Sequence, residues 1–485
     1  MKPKKPLTCP PPLATDVTAY PASSAYSCRM QSTHPLLMAP ILPTIWRLGF
    51  PNMLAMIASA LVTIAETSYV GQLGTVPLAG MALVFPLIML QQMLSSGSMG
   101  GGISSAVSRA LGTGREDRAQ SLALHASIIA LGMGLLFTVL FGVFRMELLE
   151  TIGGSGEALN QASLYAAVVF MGSVSIWLTN AFASVIRGSG NMKIPSAVLL
   201  TVSLFQVVLG GILGLGWGPV PGFGMAGIAM GQLIAFTGGA LYLGIYLQSP
   251  ASRVRLVFKG PLRWADFHDI LKVGALASIS SIQTVVTILI LTRLVSQFGT
   301  EALAGYGIGT RLEFLLIPIT FAIGVACVPM VGVAMGAGMV QRARRVAWTG
   351  STLAALMIGV VGAVVSFYPN AWSQLFTDSL AVQSYAQSYF EWVGPWYALF
   401  GFGLCLYFAS QGSGKLLGPV LAGTVRLVMV AAGGLWMLRT GASAADMFAL
   451  VGVAMGVYGV VTGLAMYWTS WGVDKATTLQ GQAAI

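Results

Sequence analysis

The sequence predicts an all-α, polytopic membrane protein, with twelve transmembrane helices in two six-helix lobes related by a pseudo-two-fold axis along the membrane normal. Three observations carry this prediction: a composition too apolar for water, a run of long hydrophobic segments, and an internal repeat. Of 485 residues, 56% are hydrophobic and 8% charged, where a soluble domain carries about 25% charged residues. The mean hydropathy is +0.80. Backbone exposed to lipid must satisfy its own hydrogen bonds, so only helices or closed barrels span. The apolar runs lack the short alternating segments of a barrel. A soluble enzyme and a charged disordered chain are both excluded.

Apolar runs of about 20 residues read as spans. They fall near Phe50–Gly71, Pro77–Leu111, Ser121–Phe144, Glu157–Ile186, Ile194–Gly216 and Met225–Leu247. A second set lies near Phe267–Phe298, Ala302–Gly336, Val346–Tyr368, Leu380–Ser410, Leu417–Leu438 and Asp446–Trp471. The expected organisation is a disordered cytoplasmic tail over residues 1–46, an N-lobe over 47–248 and an inter-lobe linker over 249–265. A C-lobe over 266–471 and a cytoplasmic tail over 472–485 complete it. The opening stretch, rich in Pro, Ser and Thr behind Lys2, Lys4 and Lys5, has no apolar core before a small-residue cleavage site, so a signal peptide is not expected.

The net charge of +10 does not point to nucleic acid, because the basic residues sit in short clusters between apolar runs. Nearly all fall in alternate segments, leaving Arg145 and Arg439 on the opposite side and Arg293, Arg311 and Arg426 within spans. That asymmetry predicts both termini in the cytoplasm, in a plasma (inner) membrane. Cys9, Cys28, Cys327 and Cys405 show no metal or disulfide pattern. His34, His125 and His268 likewise have no metal spacing, and no nucleotide-binding loop is present, so neither a metal nor another cofactor is expected.

The repeat is the most informative feature. Gln72-Leu-Gly74-Thr75 with Leu78-Ala79-Gly80 matches Gln297-Phe-Gly299-Thr300 with Leu303-Ala304-Gly305. Ala110-Leu-Gly112-Thr-Gly114 matches Ala334-Met-Gly336-Ala-Gly338, and Gly188-Ser189-Gly190 with Pro195 matches Gly412-Ser413-Gly414 with Pro419. Six spans per half is an even number, so both halves enter from the same side. A parallel repeat of this kind is a transporter architecture, with a cleft between lobes that rock to expose it to each side in turn.

At these residues the sequence resembles the multidrug and toxic compound extrusion (MATE) family. The resemblance rests on Glu66-Thr67 with Val70-Gly71-x-Leu73-Gly74 and Leu78-Ala79-Gly80, and on Arg311-x-Glu313 with Pro318, Gly332 and Gly336-Ala337-Gly338. Arg187-Gly188-Ser189-Gly190, and Gly218-Pro219-x-Pro221 with Gly224 and Ala226-Gly227, add to it. It implies a secondary antiporter, not an enzyme, that exports organic, amphipathic and cationic compounds against entry of H⁺ or Na⁺. Where many members carry Asp in the first helix, Glu66 stands here. Acidic residues that often mark a Na⁺ site are replaced by Gln283 and Thr284 in the seventh helix and by the region of Phe400 in the tenth. In the fifth helix, an Asn and an acid four residues apart align with Gln206 and Gly210. These departures favour H⁺ over Na⁺.

Ionisable residues inside the bilayer are functional candidates by default. Among the acids, Glu66, Glu313 and Glu391 are placed within spans. Glu66 has no basic neighbour in sequence, and a carboxylate held out of water is costly as an anion, which suits reversible protonation; the bland alternative is a carboxylate hydrated at the interface. Glu66 and Glu313 are the expected cation-coupling residues, Glu313 also fitting a structural pair. Arg311, Glu391 and Arg426 are expected in structural ion pairs, with Glu391 a partner for Arg426. Gln91, Gln92, Asn180, Gln206 and Gln283 either glue helices together or line the cleft. Phe85, Met89, Met93 and Trp177 are the aromatic and Met candidates there. The expected partners are small organic substrates, H⁺ or Na⁺ and the lipid bilayer, with no nucleic acid, in a monomer. The alternative reading is a flippase for lipid-linked precursors, which would require a strongly basic cavity, whereas here three span acids offset three arginines.

Overall fold

The computed structural model describes residues 34–217, 219–258 and 260–472. Cys9, Cys28, Lys2, Lys4, Lys5, Gly218, Lys259 and most of both expected tails therefore lie outside the described residues. Among the described residues, eleven helices are long and apolar enough to cross a membrane, and a bent pair makes the twelfth. In chain order these are α1 Ile41–Leu73, α2 Thr75–Gly112, α3 Glu116–Val143, the pair α4 (Gly156–Met171 and Ser173–Gly188, bent by 44°), α5 Lys193–Gly216 and α6 Gly224–Gln248. The second half contains α7 Trp264–Phe298, α8 Thr300–Gly336, α9 Val340–Phe367, α10 Leu380–Ser413, α11 Leu417–Arg439 and α12 Ala444–Trp468.

Two starts differ from the sequence expectation. Helix α1 begins at Ile41, not near Phe50, and a short helix, Pro35–Met38, precedes it. Leu36 and Leu37 of that helix are buried, and the Arg342 guanidinium holds the carbonyls of Leu36 (2.8 Å) and Ala39 (2.5 Å). Residues 34–46 are thus packed structure and not tail. Helix α9 begins at Val340 and includes Arg342, Arg344 and Arg345. Hydropathy marks where a helix meets lipid, whereas the hydrogen-bonded backbone runs on past the bilayer with long basic side chains reaching outward.

The repeat extends to backbone detail. Left-handed glycines recur in the two halves: Gly74 (φ 123°) with Gly299 (φ 101°), Gly114 (74°) with Gly338 (75°), and Gly190 (88°) with Gly414 (73°). These positions end or join helices, where only glycine avoids a Cβ clash. Both fourth helices of the repeat break midway: α4 bends at Gly172, and α10 passes through a 3₁₀ turn at Gly394–Trp396. Helix α2 carries a π-helical stretch at Met93–Met99.

The lobes meet at the end that holds Ile41 and Trp468. A Cβ on Gly112 would run into the Val333 carbonyl, and one on Gly336 into the Arg109 carbonyl. These are the same contact seen from each repeat, so α2 and α8 cross on the pseudo-two-fold axis with backbones touching. Ion pairs clamp the same end: Arg109 to Asp269 (2.7 Å), and Arg118 to Asp266 (3.2 Å) and Asp269 (3.0 Å). Ser121 donates to Asp266 (2.8 Å). Farther along, Ser98 and Ser281 share a hydrogen bond of 2.7 Å at mid-membrane. Among the described residues, the polar contacts joining the lobes lie between that level and the end bearing Ile41 and Trp468.

Candidate functional site: the carboxylates of the two lobes

Helix α1 presents Glu66 on its buried face, 6% exposed. The exposed side of the same helix carries a ladder of hydroxyls bonded back one turn, Ser59 to Ala55 O (3.0 Å), Thr63 to Ser59 O (3.4 Å) and Thr67 to Thr63 O (2.7 Å). Such bonds compete with the helix backbone and favour bending. Pro51 lies lower in the helix. The Glu66 carboxylate accepts one hydrogen bond, from Gln206 Nε2 of α5 at 2.8 Å. Tyr165 of α4, buried, stands beside it. The ion pairs among the described residues do not include Glu66. It is an acid held by neutral groups, able to gain or lose a proton without breaking a salt bridge.

Glu313 of α8 lies in the C-lobe. Its Oε1 accepts from the hydroxyls of Tyr389 and Tyr397, the latter at 3.4 Å. Tyr306 packs edge-on against Tyr389, centroids 5.7 Å apart. Arg426 of α11 supplies the nearby positive charge, but its guanidinium sits over Phe400 (5.1 Å) and Tyr458 (6.0 Å). This is an aromatic cage around a separated acid and base.

The expected structural ion pairs do not form. Arg426 does not pair with Glu391, which is exposed on α10 and accepts from Gln387 Nε2 (2.9 Å). Arg311 is exposed over the Phe376 ring at 5.1 Å. Aromatic faces meet both arginines at a lower desolvation cost than a buried carboxylate would. Two residues apart on one helix, Arg311 and Glu313 point to different surroundings.

The polar cleft candidates divide. Asn180 is fully buried and donates to Ser95 Oγ (2.9 Å), and buried Gln91 accepts from Ser173 (3.4 Å). Both are engaged between N-lobe helices instead of facing open space, as is Trp177, packed against Phe137 at 5.5 Å. Gln206 serves Glu66. Gln283 donates to Thr424 (2.8 Å) while its Oε1 has no partner. Phe85 and Gln92 are exposed on α2, and Met89 and Met93 are half-buried.

Sequence reasoning passed over Tyr165, Tyr389, Tyr397 and Tyr458, which look like generic span aromatics. It also treated Arg187 as an inner-segment residue, whereas its side chain is buried. For Arg187 a signal existed: it adjoins the Gly188-Ser189-Gly190 match and corresponds to Gln411 of the other half.

The MatE family model matches this chain twice, over residues 51–212 and 277–436, one match in each lobe. Among curated proteins, the chain is similar to a FAD transporter of Shewanella oneidensis, 24% identical over 65% of this chain and 70% of that one. It is also similar to the probable multidrug resistance protein NorM of Thermotoga maritima, 23% identical over 77% and 81%. Among solved structures, a MOP superfamily transporter from Pyrococcus furiosus superposes with a TM-score of 0.82 at 24% identity, covering 88% of this chain and 96% of that one. A multidrug resistance MATE transporter in an outward-facing conformation gives 0.80 at 23%, covering 90% and 96%. Two matched halves, twelve spans and the shared fold place the chain: it belongs to the MatE family and is a secondary-active efflux transporter of the integral membrane class.

Proposed function

We propose that this chain exports amphipathic organic cations by alternating access, with entry of H⁺, in preference to Na⁺, coupled through Glu66. The observation that carries the reading is Glu66 itself: buried, accepting a single hydrogen bond from neutral Gln206, and outside every ion pair among the described residues. Protonation removes its charge and lets α1 and α5 repack, which narrows the N-lobe side of the cleft and drives substrate outward. Loss of the proton to the cytoplasm restores the anion. Moving one charge through 100 mV supplies about 2.3 kcal/mol, enough to shift a conformational equilibrium. The bend-prone hydroxyl ladder of α1 supports this repacking, and solved MATE relatives are described in bent and straight conformations.

The N-lobe is α1 to α6 and the C-lobe α7 to α12, joined by the segment between Gln248 and Trp264. Both termini face the cytoplasm, so the closed end is cytoplasmic and this is the outward-open arrangement of a monomer in the inner membrane. Glu313 is the second coupling candidate, and Phe85, Met89, Gln92 and Gln283 are the cleft residues retained. In proteoliposomes, Glu66→Gln is expected to abolish export driven by a pH gradient while substrate binding persists, and Glu313→Gln to slow export without abolishing it. Undiminished gradient-driven export by Glu66→Gln would remove Glu66 from the coupling step. Export that follows an imposed Na⁺ gradient and ignores pH would overturn the choice of ion.

A further inference from the structure

A small, partly open cavity lies where the two lobes meet, between mid-membrane and the closed end, with room for a single small occupant such as a monatomic ion or a water. Arg187 of α4 and Gln411 of α10, equivalent residues of the two repeats, line it, with Ser96, Gly101, Ser104 and Ser184 among its other walls. Arg187 is 3% exposed and takes part in none of the ion pairs among the described residues. Its Nε, the Ser104 hydroxyl and both amide atoms of fully buried Gln411 have no hydrogen-bond partner. The neighbouring Tyr407 hydroxyl donates to the Ala277 carbonyl (3.2 Å) and lies beside the Gln411 amide, outside ideal hydrogen-bond geometry, and the Ser184 hydroxyl donates to Asn180 O (2.7 Å). Arg109, the next cation along the interface, is neutralised by Asp269.

A guanidinium held out of water without a counter-charge is strongly disfavoured. Around it stand an amide and a hydroxyl able to donate, and a guanidinium can only donate. An unpaired positive charge, with an amide NH2 and a hydroxyl free to turn toward the same small space, favours an anion there, and the space excludes an organic one. We infer that this cavity is a binding site for a monovalent inorganic anion of chloride size, held between Arg187 of the N-lobe and Gln411 of the C-lobe. Because the walls belong to different lobes, the site exists only while this end is closed. The anion therefore acts as a tie that stabilises the closed end and must leave before it opens.

The test uses the purified full chain in detergent, with sodium and ionic strength held constant and chloride or bromide exchanged for gluconate. Halide is expected to raise the thermal unfolding midpoint saturably by several degrees, and the shift to vanish in Arg187→Gln and shrink in Gln411→Leu. Bromide soaked into wild-type crystals is expected to give an anomalous peak between Arg187 and Gln411, a readout that stands if Arg187→Gln fails to fold. No halide-dependent shift in the wild type, an equal shift in Arg187→Gln, or water alone in the cavity would each overturn the proposal. None of these readouts depends on efflux or on Glu66, so the site stands or falls separately from the coupling mechanism.

Discussion

At the scale of single residues, charge is handled here mostly by neutral partners. Glu66 rests on an amide, Glu313 on two phenols and Arg426 on two rings. In a low-dielectric interior a tight ion pair would hold its members charged and fixed, whereas dipoles and ring faces stabilise a charge without demanding it. His34 shows the same logic outside the membrane. Its ring accepts from the Leu36 N–H at 3.3 Å and caps the short helix under the closed end. Burial, aided by the Arg253 charge, lowers its pKa from 6.5 to about 4. The folded segment therefore keeps His34 neutral, and the released segment binds a proton first. Docking is fully stabilised above about pH 6.5 and is progressively lost as pH falls toward 4. The protection of residues 34–40 against hydrogen exchange, taken relative to the intrinsic exchange rate at each pH, is expected to fall between pH 7 and 5 in the wild type and to stay level in His34→Asn, which retains a capping acceptor.

At the scale of elements, the decisive unit is the crossing of α2 and α8. Gly112 and Gly336 let two backbones meet at the pseudo-two-fold axis, and close approach of this kind is what small residues contribute between membrane helices. A side chain at either position forces the helices apart by the width of a methyl group or more. Gly336→Val is expected to keep the fold, since the buried aromatics around Phe170 and Trp177 and around Tyr389 and Phe448 are not touched by it, but to populate the form open at this end. Spin-label distances between the starts of α3 and α9, at that end, report it: a broadened, longer distribution is expected, and an unchanged one would show that the crossing does not hold the two halves together. The π-helical stretch at Met93–Met99 and the breaks in α4 and α10 are the points at which these helices depart from regular α geometry.

For the molecule as a whole, closure of one end is a sum of small terms between the two halves. The Arg109, Arg118, Asp266 and Asp269 cluster is partly exposed, so each pair contributes on the order of 1 kcal/mol or less. Asp269→Asn removes the carboxylate shared by both arginines, and is expected to shift the lobe equilibrium toward opening by a few-fold at low salt and less at high salt. Accessibility of a cysteine placed at Ser105 to a membrane-impermeant thiol reagent applied from the side of this end would measure it, in a background lacking the native cysteines. No change with salt or mutation would assign closure to the glycine crossing alone.

Hydropathy, charge asymmetry and the matches at Gly74/Gly299, Gly112/Gly336 and Gly188/Gly412 determined the spans, the two halves and the family, because burial in lipid and backbone turns are written locally along the chain. Glu66 was legible for the same reason: an acid within an apolar run has no other local explanation. What only the tertiary structure decided is the company each side chain keeps. That Glu66 meets Gln206, that Arg426 meets rings in place of Glu391, and that Asn180 is spent inside a lobe all depend on how each helix is rotated about its own axis. Arg187 facing Gln411 depends on it too. That rotation is set by packing against neighbours distant in sequence, and no run of residues along one helix records it.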